Sequence, residues 1–100
     1  MKVEITQHDN NVMASIEGRL DTVTASEFEK RLAEFYQIPG TELVLDCSAM
    51  DYISSAGLRV ILTVHKCLTA KNGRFVIRNL NKEVRSVFDM TGFSRILTIE

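Results

Sequence analysis

The spacing of apolar positions changes rhythm several times along this chain, and each change marks an element. Val3 and Ile5 fall on one side of Lys2–Gln7, a weak alternation that predicts a first strand. Asp9-Asn10-Asn11 is a turn signal. Val12, Ala14 and Ile16 then alternate with Met13, Ser15 and Glu17, so the two segments read as a hairpin whose second strand ends at Gly18. From Thr24 to Tyr36 the period lengthens. Ala25, Phe28, Leu32 and Phe35 recur at spacings of three and four and predict one apolar helix stripe. Thr24 and Glu27 fit a capping box, and Pro39-Gly40 stops the segment.

Glu42–Cys47 carries a short apolar core, Leu43 to Leu45, which suits a central strand covered on both sides. Ser48–Ser55 is mixed and reads as a loop. Helical pattern resumes at Ala56 or Gly57 and runs to about Thr69. Arg59, Thr63 and Lys66 form one narrow polar stripe there, and the broad apolar remainder predicts the most buried helix of the molecule. Asn72-Gly73 is a turn, and Phe75, Val76 and Ile77 centre a strand over Arg74–Arg78. Asn81 can cap a third helix with Val84, Val87 and Phe88 inward, and Gly92 suits its carboxyl end. Ile96–Ile99 reads as a last short strand or an extended tail.

The order is β-β-α-β-α-β-α, with room for one final strand. That alternation predicts an α/β fold: one domain over residues 1–100, a mixed central sheet of four or five strands, and three or more helices on one or both faces.

Composition narrows the function classes. Hydrophobic residues at 45% and charged residues at 25% describe a folded chain. With 12 Lys and Arg against 13 Asp and Glu, and no basic run interleaved with aromatics, nucleic acid is not an expected partner. No apolar stretch reaches the roughly 18 residues that a membrane-spanning helix needs, so no membrane role is expected. The start, Met1-Lys2-Val3-Glu4, has no signal-peptide pattern. Cys47 and Cys67 form no CxxC and sit in apolar segments, as buried thiols of a reducing, cytoplasmic protein do.

Candidate catalytic chemistry is sparse. The phosphate-cradling loop GxxxxGK[ST], the pattern GxGxxG and the nucleophile elbow GxSxG are all absent, so no cofactor is expected. His8 and His65 lie far apart, without zinc-site spacing. Asp21, Asp46 and Asp51 could meet at one end of the sheet and hold Mg²⁺, or serve as turn and cap residues. One segment stands out. Ser54-Ser55-Ala56-Gly57-Leu58 opens a strongly apolar helix. Either serine could be a plain helix cap. Either could also take a phosphate, which the unpaired N–H groups and positive dipole end of a first turn would stabilise.

The run from Leu45-Asp46 through Asp51-Tyr52-Ile53-Ser54-Ser55-Ala56-Gly57-Leu58 resembles the signature of the anti-sigma-factor antagonists, or STAS domains. Gly18-Arg19-Leu20-Asp21 resembles a second marker of that family, and Thr91-Gly92-Phe93 its usual ending. The likeness spans nearly the whole chain. It implies a phosphorylation-switched binding module and not an enzyme. The family's phosphoserine falls on Ser55, with Ser54 the rival acceptor. Ser54 stands where the family has Asp, and Ala56 where it has a second Ser or Thr. The implied partners are an anti-sigma-factor-type serine kinase, which would bind the ATP, and a serine phosphatase that resets the switch. The implied docking face contains Asp21, Met50, Tyr52, Ile53, Ser54, Ser55, Gly57 and Arg59. Met50, Tyr52 and Ile53, apolar residues in an expected loop, either face the partner or tuck over the core. A phosphate-independent scaffold or sensory domain of the same fold is the alternative, with a small metal-binding enzyme domain behind it.

Overall fold

Asp9, in the left-handed region at φ 55°, closes the opening hairpin. Strand β1 (Lys2–His8) there runs antiparallel to β2 (Asn11–Leu20), from Lys2 beside Glu17 to His8 beside Asn11. The computed structural model describes residues 1–100. After the hairpin come α1 (Ala25–Tyr36), β3 (Glu42–Ile53), α2 (Ser55–Ala70), β4 (Arg74–Arg78), α3 (Lys82–Met90), one 3-10 turn (Phe93–Arg95) and β5 (Thr98–Ile99). The strands form one sheet in the order β1-β2-β3-β4-β5, and β2 to β5 are mutually parallel.

Each parallel step moves one strand in the same direction. Crossovers of a single, right-handed sense then place α1, α2 and α3 on the same face of the sheet. The burial agrees. Phe28 and Leu32 of α1, Ile61, Val64 and Leu68 of α2, and Val84 and Phe88 of α3 join inward residues of the strands in one core. Val76 is buried but lies outside that core, on the opposite face. Covering of β3 on both sides is therefore corrected. Leu43 and Leu45 point to the helices and are fully buried, whereas Val44 faces the other way and is half-buried.

The helix stripes follow the sequence pattern with small changes. In α1 the buried set is Ala25, Phe28, Leu32 and Tyr36, with Phe35 only half-buried. In α2 it is Gly57, Leu58, Val60, Ile61, Val64 and Leu68, with Leu62 half-buried. Asn81 caps α3, its Oδ1 accepting from the Val84 N–H at 2.8 Å, and Gly92 follows the helix at φ 82°. Cys47 is fully buried and Cys67 partly so; neither is bridged. Burial pushes the Cys47 thiol up to about 12.

The largest correction concerns length. β2 does not end at Gly18, nor β3 at Cys47; both run on, to Leu20 and Ile53. The expected loop Ser48–Ser55 is mostly strand. It escapes the alternation rule because β3 bulges twice against β2. Between the pairs Ser15–Asp46 and Glu17–Ala49 the third strand spends one extra residue, and it spends another between Gly18–Met50 and Arg19–Tyr52. Inward positions after Cys47 therefore come every third residue, at Met50 and Ile53. Gly18 takes φ 93° beside these shifts.

Candidate functional site

The carboxyl ends of β2 and β3 meet the start of α2, and the meeting is fixed by hydrogen bonds. The Ser54 N–H donates to the Leu20 carbonyl at 2.9 Å, which continues the β2–β3 pairing by one step. Ser54 is extended, at φ −96° and ψ 174°, and its Oγ accepts from the Gly57 N–H at 3.2 Å. Ser54 is thus the helix cap. Ser55 is the first helical residue, not Ala56 or Gly57, and its side chain is exposed. Of two adjacent hydroxyls, one is committed to the backbone and the other is presented to solvent at the positive end of a 16-residue helix.

Gly57 explains why the first turn sits so close to the sheet. A Cβ there would stand 2.9 Å from Ile53 Cγ1, Leu20 Cγ and the Leu20 carbonyl oxygen. That oxygen is held by Ser54 and cannot retreat without breaking the strand end. Gly57→Ala is expected to lower stability by about 1–3 kcal/mol despite the better helix propensity of alanine, and urea unfolding would show it as a lower midpoint.

Asp21 follows Leu20 at the same end. Its Oδ1 accepts from the N–H groups of Val23 and Thr24, both at 3.0 Å. The Thr24 N–H bond first, with further bonds from the Thr24 hydroxyl and the Val23 N–H and the nearby Arg19 charge, holds this carboxyl below its usual range against the opposing cost of desolvation. The expected Thr24–Glu27 capping box does not form. Thr24 makes no side-chain cap bond; its Oγ1 instead accepts from the Asp21 N–H and donates to the Arg19 carbonyl, each at 2.9 Å. Asp21 and Thr24 close the β2–α1 turn on each other.

Arg19 was not among the residues singled out from sequence. Its guanidinium lies 4.0 Å from the Tyr52 ring centroid, and its Nε is 3.7 Å from Asp21 Oδ2. The stack exists because Arg19 and Tyr52 are register partners, which follows only once both bulges are counted. Val23, 86% exposed, adds an apolar side chain beside Asp21.

The expected docking residues separate into two groups. Tyr52, Ser55 and Arg59 are exposed, and Asp21 and Ser54 are partly so. Met50, Ile53 and Gly57 are buried, Met50 at 1% and Ile53 at 4% exposure, so they support the surface from beneath. The three aspartates do not converge. Asp46 Oδ1 accepts from the Ser48 N–H at 3.0 Å and from Asn79 Nδ2 at 3.1 Å, while Asp21 serves its own turn and Asp51 is exposed. No three His, Cys, Asp or Glu side chains come together as metal ligands. No helix is long and apolar enough to cross a membrane.

Comparison with known proteins agrees with this fold. The family model described as STAS domain matches residues 2–100. BtrV of Bordetella bronchiseptica, assigned provisionally as an anti-sigma factor antagonist, is 36% identical over 99 residues, covering 99% of this chain and 85% of that protein. A solved structure from Thermotoga maritima, with the same provisional assignment, superimposes with a TM-score of 0.88 at 24% identity, over 97% of this chain and 84% of that one. The Bacillus cell fate determinant SpoIIAA in its phosphorylated form does so with a TM-score of 0.77 at 18% identity, over 99% of this chain and 91% of that one.

Proposed function

This chain belongs to the STAS domain family, among its anti-sigma-factor antagonists, and we propose that it is a cytoplasmic partner switch thrown at Ser55. In the unmodified state it binds an anti-sigma-factor-type serine kinase through the end of the sheet that carries Asp21, Tyr52, Ser54, Ser55 and Arg59. The kinase transfers the terminal phosphoryl group of ATP to Ser55 Oγ, and the modified domain leaves. A serine phosphatase restores the hydroxyl. The chain supplies a substrate hydroxyl and a fitted surface; ATP and the catalytic groups belong to the partners.

The observation that carries this reading is the division of labour between two neighbours. Ser54 spends its hydroxyl on the cap, while Ser55 stands free at the first position of α2. A phosphate on Ser55 can accept from first-turn N–H groups without disturbing the cap, so the fold survives the modification. A phosphate on Ser54 would displace the bond to the Gly57 N–H. The existence of SpoIIAA in a phosphorylated form supports the same reading.

Incubation with the cognate kinase and ATP, followed by fragmentation mass spectrometry, is expected to find the phosphate on Ser55. Phosphate on Ser54 alone would move the switch by one residue. No phosphate on either serine, with partner binding intact, would make the chain a phosphate-independent scaffold.

A further inference from the structure

Four parallel strands normally have helices on both faces, because each face of such a sheet is apolar. Here the helices cover one face only. The other carries an uncharged row across all five strands: Thr6, Met13, Val44, Val76 and Thr98 are successive register partners. Met13 is 42% exposed and Val44 is half-buried. Thr6, Met13, Val44 and Val76 floor a shallow depression of about 500 Å³, well away from Ser55.

Charges flank the row in an ordered way. On β3 stand Glu42 and Asp46; on β4, at the same registers, stand Arg74 and Arg78. Glu42 and Arg74 are exposed, and neither takes part in an ion pair within the chain. A ligand of one charge sign would meet repulsion from one of these two columns. A second copy of this chain would not. A two-fold axis parallel to the strands, passing between β3 and β4, sets Val44 over Val76, Glu42 over Arg74 and Asp46 over Arg78, each twice.

We propose that the uncovered sheet face is a self-association surface, on which two copies pack sheet to sheet about that axis. The axis preserves strand direction, so both Ser55 ends point the same way and stay free. Four strands by three rows make a patch about 20 Å on a side, from the usual strand spacing and rise. That buries about 800 Å² in total, less than the roughly 1,200–2,000 Å² of stable complexes, so the dimer is weak and forms at high concentration.

Sedimentation velocity of the full chain from 10 µM to 1 mM tests this. The weight-average mass is expected to rise toward that of a dimer. Val44→Glu, checked for folding by circular dichroism, is expected to remain monomeric. Arg74→Glu, a fully surface change, is expected to weaken association at least tenfold, and adding Glu42→Arg in the same chain to restore it. A wild-type chain that stays monomeric to 1 mM overturns the proposal. So does a dimer indifferent to Arg74→Glu, or one that the charge exchange fails to restore. Loss of kinase binding in Val44→Glu without any self-association of the wild type would assign the face to the kinase instead.

Discussion

Ser55→Asp is expected to melt within a degree or two of the unmodified chain and to bind the partner kinase about 100-fold more weakly. The two halves of that result have separate causes. Within the domain, a carboxylate at the first helical position meets the positive end of α2 and stabilises it slightly, by about 0.3–1 kcal/mol. The cap remains on Ser54, so nothing in the fold is displaced. At the interface, a charge is pushed into a surface fitted to a neutral hydroxyl. Its desolvation and any like charge opposite it need total only about 2.7 kcal/mol to produce the hundredfold loss. Phosphate, with a charge of about −1.5 to −2, is expected to act more strongly than the single carboxylate. Ser55→Ala is expected to bind as tightly as the unmodified chain and to stay bound in the presence of ATP. Titration calorimetry of both variants checks this, with differential scanning calorimetry as the control. Ser55→Asp affinity within threefold of wild type would remove Ser55 from the interface.

Ile61→Ala is expected to cost about 2–5 kcal/mol, a large part of the 5–15 kcal/mol that holds a domain of this size together. Ile61 is fully buried, with Val64 and Leu68 on the same side of α2. Its place inside the single core leaves little freedom to collapse around the missing methyl groups. Leu62, its neighbour, is half-buried, so Leu62→Ala is expected to cost distinctly less. Urea unfolding of the pair gives the comparison directly. A larger loss for Leu62 than for Ile61 would mean that α2 is rotated from the orientation described here.

The helices and the Ser54–Leu58 segment were legible in the sequence because both depend on short-range spacing. Three-and-four periodicity found α1, α2 and α3, and Ser54–Leu58 is contiguous. What failed depends on pairing between distant strands. β3 was cut short at Cys47 because two bulges turn its inward period from two to three, a pattern no alternation rule detects. The same error made Met50 and Ile53 candidate contact residues. As loop residues they would offer apolar surface to a partner; as bulged-strand residues they are core. Arg19 was passed over for the converse reason, since its place over Tyr52 exists only through a register that those bulges set. Thr24 kept its position but not its role, because Asp21 competes for the same turn and wins its backbone N–H groups.

The unequal lengths of β3 and β4 bear on how such a chain can change over generations. β4 accompanies β3 only as far as Asp46, beside Arg78, while β2 accompanies it to Ile53. Beyond Asp46 the later half of the molecule makes one side-chain hydrogen bond to β3's backbone, from Asn81 Nδ2 to the Met50 carbonyl at 3.0 Å. Drift at exposed positions of α3 and β5 can therefore accumulate with little effect on where Ser55 is held, provided Asn81 and the packing of Phe75, Ile77, Val84 and Phe88 persist. Gly18 to Leu20 has no such latitude. The exposed positions of the carboxyl-terminal third are the ones free to diverge while the Ser54–Ser55 end keeps its shape.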